Sequence, residues 1–195
     1  LTGRFILAAL ALVAARMNRP VRALAKKELF AVPGLAQAAR ALGGISVDRD
    51  NAPDRAFSEA EASLRAGEAL IVLPEGTIPR GPAFFELELH GKTGTARLAA
   101  LTDAPVIPVG LWGTEEVWPR SSKTPHTTNV LHPPTVRIRV GRPVALSGRD
   151  PVEDTESIMA AISELLPDEA RRPRTPTAEE LARTYPSGRA PEGDS

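Results

Sequence analysis

Apolar residues along the chain follow two periods, one typical of strands and one typical of helices. Four short apolar runs predict strands, and they cover residues 21–25, 45–48, 69–73 and 106–112. Helical spacing of apolar residues appears in the segments between these runs, at 33–42, 53–66 and 93–101. Because strands and helices alternate, the pattern predicts an α/β fold, a layered mixed sheet flanked by helices.

The helix expected after the second strand has clear end signals. Asn51 is a candidate N-cap, Pro53 falls in the first turn, and Gly67 is placed to end the helix. Its apolar face is predicted to consist of Phe57, Ala60 and Leu64.

Two more elements follow in the last third of the chain. A strand at 136–140 alternates Val or Ile with Arg, so it is predicted to be half exposed and near a sheet edge. A final helix is predicted to begin at Asp150, its N-cap, with Glu153 three residues later, and to end at Pro167. Its predicted inward residues are Ile158, Ile162, Leu165 and Leu166.

Composition changes at the end of this helix. Residues 167–195 contain five prolines, and Leu181 is their only residue among Val, Ile, Leu, Met and Phe. Such a segment buries too little apolar area to offset the entropy of ordering. We therefore predict an α/β domain at 1–166 and a mostly disordered, Pro/Arg-rich tail at 167–195, with a helical turn near 179–183.

The longest apolar run, residues 5–15, is too short to cross a bilayer. It spans eleven residues, whereas a spanning helix needs about 20, and it lacks the features of a signal peptide. A buried or membrane-grazing helix fits better. Because the chain begins with Leu1 rather than Met, close to this helix, we expect the N-terminus of the domain to be incomplete.

Composition and charge narrow the function classes. The chain has no cysteine, which excludes disulfides, thiolate metal ligands and cysteine nucleophiles. Its 24 basic and 24 acidic residues balance, which argues against a nucleic-acid partner. The first 50 residues contain eight Arg or Lys against three Asp or Glu, an excess of five. This excess of positive charge suits an anionic partner, either a phosphorylated small molecule or the anionic surface of a membrane. The alternative is an ordinary solvated face without a partner.

Several known motifs are absent from the sequence. Residues 91–93 (Gly-Lys-Thr) resemble the end of a nucleotide-binding P-loop, but Glu86 stands where that motif needs its first glycine. The chain has no Gly-x-Ser-x-Gly, no His-Glu-x-x-His and no dinucleotide-type glycine fingerprint. Hydrolase, zinc protease and dinucleotide-binding interpretations therefore lose their main support.

Candidate chemistry lies where strands end and a helix begins. Residues 74–77 (Pro-Glu-Gly-Thr) follow the third strand, at the position where open α/β folds place their sites. Arg49 follows the second strand, and Lys92 precedes a helix whose first-turn amides favour a phosphate. Taken singly, these features also fit an ordinary turn, a surface ion pair and a simple helix start.

Five blocks of sequence occur in an order and spacing shared with one family. They cover residues 26–30, 43–49, 73–77, 92–99 and 105–110. Over about residues 19–145, the chain resembles the glycerolipid (PlsC-like) acyltransferases, that is, the 1-acylglycerol-3-phosphate acyltransferases. The resemblance implies the glycerol-3-phosphate acyltransferase-like fold. It also implies transfer of an acyl group from coenzyme A or acyl carrier protein to a lysophosphatidic-acid-like acceptor in phospholipid synthesis.

The resemblance further implies roles for individual residues. Arg49 would hold the acceptor's phosphate, Lys92 would add positive charge, and Pro108 would lie near the acyl-donor site. The glycerol-phosphate pocket would be shaped by Glu75, Gly76 and Thr77. The family acts without a metal or a cofactor besides the acyl thioester, and peripherally at the cytoplasmic face of the membrane.

Two features depart from the family pattern. The family's catalytic block is Asn-His-x-x-x-x-Asp, in which the histidine is the general base. The residues five positions after the three histidines (His90, His126 and His132) are Thr95, Leu131 and Arg137, so no catalytic residue is assigned. The family also commonly places an arginine directly after the threonine of Pro-Glu-Gly-Thr, whereas here Ile78 follows and Arg80 comes two residues later.

These departures leave alternatives open. We predict little or no activity for the 195-residue chain itself, since a missing general base costs about 10²- to 10⁴-fold. The alternative is a catalytically inactive lipid- or phosphate-binding module of the same fold, and a third is an interaction domain with a recruiting tail. His90, beside Gly91 and Lys92, is either a ligand contact or a solvated loop histidine.

Overall fold

The computed structural model describes most of the chain in several stretches. These are residues 19–26, 43–47, 53–76, 79–117, 121, 135–173, 175–185 and 187–188. The predicted helix at 33–42 and the predicted cap Asn51 lie outside them.

A three-stranded parallel sheet forms one part of the fold. Its strands are β1 (Val21–Lys26), β2 (Gly44–Val47) and β3 (Ala69–Ile71), in the order β2-β1-β3. Leu24 of β1 lies opposite Ile45 of β2, and Val21 lies opposite Ala69 of β3. Because the strands are parallel, their carboxyl ends meet at one edge of the sheet.

Helix α1 (Pro53–Arg65) covers this sheet with the face predicted from the sequence. Ala60 is fully buried, and Phe57 and Leu64 pack against the core cluster beside it. The helix ends at Arg65, and Gly67 takes a left-handed backbone conformation with φ +79°, which glycine adopts without strain. The cluster itself consists of Ile45, Ala56, Ala60 and Leu98.

Leu98 belongs to α2 (Gly94–Thr102), which packs beside α1. At one crossing point the Arg97 guanidinium lies over the ring of Phe57, 4.8 Å from its centroid. Near the helix ends, the Arg65 side chain donates to the carbonyl of Leu101 over 2.8 Å. These contacts fix the position of α2 relative to the parallel sheet.

A two-stranded antiparallel sheet follows. It pairs β4 (Val109–Trp112) with β5 (Arg137–Val140), and the short helix α3 (Thr114–Val117) comes directly after β4. The edge position predicted for β5 is confirmed, but the strand is more exposed than predicted, since Val140 is 58% exposed.

Helix α4 (Pro151–Leu165) lies against both α2 and β4. The predicted Asp150 cap is confirmed, because its carboxylate accepts a hydrogen bond from the Val152 amide at 2.8 Å. Of its predicted inward residues, Ile158 is buried, whereas Ile162, Leu165 and Leu166 are half-buried.

The first turn of α4 holds a buried carboxylate. Asp154 accepts hydrogen bonds from the amides of Ser147 and Gly148, at 2.7 and 2.8 Å. Burial acts to raise the pKa of Asp154, but these donors outweigh it, so its pKa lies below the ordinary value.

Two strands are shorter than predicted. β3 ends at Ile71, and Leu73 is 47% exposed. β4 begins only at Val109, because Pro105 and Pro108 lack the N–H groups that a regular ladder requires.

The segment predicted as a tail contains ordered structure. It carries a 3₁₀ turn (Asp168–Arg171) and the helix α5 (Ala178–Arg183), which confirms the predicted helical turn near 179–183. Thr184 and Tyr185, which follow α5, are 5% and 7% exposed. The domain boundary at residue 166 stays a prediction.

None of the helices in the described stretches has the length and apolar character needed to cross a bilayer.

Candidate functional site

The turn after β3 is a tight reversal built on Gly76. Its amide donates to the carbonyl of Leu73 at 2.9 Å, and its φ of +68° is one that glycine adopts without strain. The turn places Glu75 at the carboxyl end of β3, the edge at which open α/β folds bind ligands.

A second segment, which contains Lys92, lies beside this turn although it is 15 or more positions away in sequence. The Lys92 amide donates to the carbonyl of Pro74 at 2.8 Å. The structure therefore brings together Glu75, Gly76 and Lys92, three of the residues singled out in the sequence.

Helix α4 supports the second segment from behind. A side chain at Gly91 would meet Met159 Cγ and Sδ and Thr155 Cγ2, each at 2.8 Å. Met159 and Thr155 are both buried, so they have little room to move away. Gly91 is therefore the residue type that lets His90 and Lys92 approach the turn at Gly76.

The turn carries a partly buried carboxyl group. Glu75 is half-buried, and burial raises the pKa of its carboxyl, while the charge of His90 lowers that pKa in part. His90 and Lys92 are exposed. A half-buried carboxyl group with a raised pKa thus lies close to His90, and the exposed Lys92 is held by its backbone at the same turn.

The beginning of α2 follows directly. Thr93 occupies the cap position, but its side chain makes no capping hydrogen bond. The hydroxyl of Thr95 is buried and has no hydrogen-bond partner among the described residues. First-turn amides without a capping side chain favour an anion at a helix N-terminus.

Pro108 lies on another part of the fold. It is buried directly before β4, and its carbonyl accepts a hydrogen bond from the Gly141 amide at 2.9 Å. Arg49 and Thr77, the other two residues predicted to bind the acceptor, lie outside the described residues.

Sequence reasoning left one feature of the site open and missed another. His90 is close enough to Glu75 to affect its pKa, and its position beside Gly91 and Lys92 was the available signal. The amide of Gly81 donates to the hydroxyl of Thr184 at 2.8 Å, which ties the segment after the site to the C-terminal residues. No local sequence pattern indicates that second contact.

Comparison with known proteins gives a family match and a similar solved structure. A family model described as Acyltransferase matches residues 5–112. The crystal structure of the 1-acyl-sn-glycerophosphate (LPA) acyltransferase PlsC from Thermotoga maritima is similar with a TM-score of 0.56 and 26% identity, over 76% of this chain and 65% of that one. The predicted α/β fold is thereby confirmed.

Curated relatives come from mycobacteria. Uncharacterized proteins of Mycobacterium tuberculosis and Mycobacterium bovis are each 30% identical to the chain over 105 residues. The match covers 52% of this chain and 27% of each relative. The matched region thus spans about a quarter of the length of these relatives.

Proposed function

The chain belongs to the acyltransferase family, and from this premise we propose that it serves phospholipid synthesis by transferring a fatty acyl group. The proposed donor is an acyl thioester, acyl-coenzyme A or acyl carrier protein. The proposed acceptor is a lysophosphatidic-acid-like molecule, which carries a free hydroxyl and a phosphate.

The proposed reaction needs only these two substrates. The acceptor's hydroxyl oxygen attacks the thioester carbonyl, a C–O bond forms, the C–S bond breaks, and the hydroxyl proton ends on the released thiol. The proposal includes neither a metal nor a cofactor.

The observation that carries the proposal is the contact between Pro74 and Lys92. Their backbone hydrogen bond of 2.8 Å holds Lys92, whose side chain is exposed, against the residue that precedes Glu75 at the carboxyl end of β3. An ammonium group attracts a phosphate, and a carboxylate accepts a hydrogen bond from a glycerol hydroxyl. This pair of groups fits a glycerol phosphate.

The sheet topology supports the roles proposed for two residues outside the described part of the chain. β2 and β3 run parallel, so their carboxyl ends lie at the same edge. Arg49 follows β2 by two positions, and Thr77 follows Gly76 directly. We propose Arg49 as a ligand of the acceptor's phosphate and Thr77 as part of the glycerol-phosphate pocket, with Pro108 on the donor side.

Exposed apolar side chains support a lipid partner. Leu73, Phe84 and Leu87 are all exposed and all lie in the connection between β3 and α2, which also carries Glu75 and Lys92. Apolar side chains beside a site suit an acceptor that is itself a membrane lipid. We therefore propose peripheral association with the cytoplasmic face of a membrane, and no nucleic-acid partner.

The test measures binding and turnover on the same protein. Binding of lysophosphatidate below its micellar concentration is measured by calorimetry, and turnover by transfer of a labelled acyl group from acyl-coenzyme A. Glu75→Gln and Lys92→Gln are each expected to weaken binding about tenfold, since each removes a charged hydrogen-bonding group. The matched controls, Glu164→Gln and Arg149→Gln, change exposed residues on or beside α4 and should leave binding unchanged.

A second candidate function is a lipid- or phosphate-binding module without catalytic activity. Its support is that no histidine of the sequence has an aspartate five positions later. Binding with turnover would establish the transferase and exclude the module. Because little or no activity is predicted for the 195-residue chain itself, binding without turnover is the result expected of both functions. A chain that binds neither lysophosphatidate nor the acyl thioester would contradict both.

A further inference from the structure

One face of the antiparallel sheet lies against helix α4. Side chains alternate between the two faces along a strand, and residues directly opposite each other share a face, as Gly110 and Arg139 do. A side chain at Gly110 would meet Leu165 Cβ at 2.7 Å. A side chain at Gly141, two positions after Arg139, would meet Leu165 Cδ1 at 3.3 Å. The face that carries Gly110 and Arg139 is therefore covered by the end of α4.

The other face of this sheet, called the open face below, is apolar. It carries two facing pairs, Val109 with Val140 and Leu111 with Ile138. Within the described stretches, Val140 is 58% and Ile138 is 40% exposed, while Val109 and Leu111 are half-buried. Four aliphatic side chains on one side of two neighbouring strands form a surface that a folded domain buries against another layer.

The described helices that cover the sheets lie in one row. Helix α1 covers the parallel sheet, α2 packs beside α1, and α4 lies against both α2 and β4. Parallel sheets in α/β proteins have both faces covered, so we expect a second layer. Three segments outside the described stretches are long enough to contribute to it: residues 1–18, residues 27–42, and residues 118–134 apart from residue 121.

Two of these segments fit the open face poorly. Residues 27–42 connect β1 to β2, a step across the sheet in the direction opposite to the step from β2 to β3 through α1. Since such connections are right-handed, the helix predicted at 33–42 belongs on the face of the parallel sheet opposite α1. Residues 118–134 contain four prolines, and their only members among Val, Ile, Leu, Met and Phe are Val130 and Leu131.

The apolar run at residues 5–15 fits the open face in composition and in size. All eleven residues are apolar, so a helix that they form needs cover on every side, yet it is too short to cross a bilayer. Such a helix is about 16 Å long and about 10 Å wide. Strands β4 and β5 have four residues each, and together they offer a surface about 13 Å long and about 10 Å wide.

We propose that residues 5–15 form a helix that packs on the open face of β4 and β5. This packing assigns the run to the interior of the protein instead of the surface of a membrane. Membrane contact in the proposed function then falls to other apolar side chains, such as Leu73, Phe84 and Leu87. The inference is independent of the proposed function, because neither substrate takes part in this packing.

The test uses the absence of cysteine from the sequence, since one introduced cysteine is then the only thiol of the chain. Val140→Cys places the thiol on the open face. Val152→Cys, on α4, is the matched control, because Val152 is 57% and Val140 is 58% exposed among the described residues. The rate of maleimide labelling is measured on the full chain and divided by the rate of the same variant unfolded in urea, which removes differences in intrinsic thiol reactivity.

If residues 5–15 cover the open face, Val140→Cys should be labelled about tenfold or more slowly than Val152→Cys. This protection should be the same at every protein concentration, and with or without vesicles of phosphatidylglycerol. Ile138→Cys is a second probe of the same face and should be protected as well, so the test does not depend on the folding of one variant.

Cross-linking identifies the segment that covers the face. Four successive positions sample every side of a helix, so Ala8→Cys, Ala9→Cys, Leu10→Cys and Ala11→Cys are each combined with Val140→Cys. A short bis-maleimide should join at least one of these pairs within a single chain. It should join none of the four positions to Val152→Cys.

Several results would refute the proposed packing. Equal labelling of Val140→Cys and Val152→Cys without vesicles would show that the face is uncovered. Protection only at high protein concentration would assign the face to a second copy of the chain, and protection only with vesicles would assign it to a membrane. Protection without any cross-link to residues 8–11 would assign the cover to another segment of the chain.

Discussion

The amide of Lys92 donates a hydrogen bond of 2.8 Å to the carbonyl of Pro74, and this bond joins the start of one element to the end of another. Pro74 follows strand β3, and Lys92 precedes helix α2. The connection between them is thereby closed into a loop whose two ends are fixed. This closure places the backbone of Lys92 next to the residue that precedes Glu75.

Two substitutions at Lys92 separate its backbone from its charge. Lys92→Pro removes the amide donor, so we expect loss of the loop closure and a free energy of unfolding lower by about 1–3 kcal/mol. Lys92→Gln keeps the donor and should leave stability within about 0.5 kcal/mol of wild type. Denaturant unfolding measures both. Equal stability of the two variants would show that the hydrogen bond does not hold the loop.

Gly91 and Gly94 provide a matched pair for the fit of the loop against α4. Gly91→Ala would place a methyl group 2.8 Å from buried atoms of Met159 and Thr155, so we expect a loss of about 1–3 kcal/mol in unfolding free energy. A methyl group at Gly94 has no atom within 4 Å, so Gly94→Ala should not be destabilising. Thermal unfolding of the two variants checks this, and a destabilised Gly94→Ala with an unaffected Gly91→Ala would contradict it.

Glu75 predicts a pH dependence of stability with a definite sign. Burial raises the pKa of its carboxyl, so the folded protein binds this proton more tightly than the unfolded chain. The contribution of Glu75 to the unfolding free energy therefore falls as pH rises above the ordinary value of 4.5. Relative to Glu75→Gln, the wild type should lose stability over that range, by no more than about 1.4 kcal/mol per pH unit.

The measurement is denaturant unfolding at several pH values from about 4 to 7. Glu164→Gln, which changes an exposed carboxyl on α4, serves as the control for the loss of one negative charge. A wild type that gains stability relative to Glu75→Gln as pH rises would mean that the charge of His90 outweighs burial.

The parts of the fold that follow local patterns could be predicted from the sequence. Phe57, Ala60 and Leu64 recur at helical spacing, and in the structure they form the inner face of α1. Gly67 marks the end of that helix because the left-handed conformation favours glycine there. Such features depend on neighbours a few positions away, so the sequence displays them directly.

Contacts between distant segments could not be predicted in the same way. The bond from Gly81 to Thr184 spans 103 positions, and the low apolar content of residues 167–195 predicted disorder instead. The charge of His90 acts on Glu75 because the loop between them is closed, which no spacing rule reveals. The resemblance to acyltransferases could be identified from the sequence alone. It depends on the order of five sequence blocks and does not require knowledge of the contacts between them.

The central position of β1 has a consequence for how the protein is made. Both strands that pair with it come later in the chain: Leu24 pairs with Ile45, 21 positions later, and Val21 pairs with Ala69, 48 positions later. As the polypeptide emerges from the ribosome, β1 therefore has at least one open edge until its second partner, β3, has been synthesised. Such edges recruit other strands, so this interval is when we expect the nascent chain to depend most on chaperones.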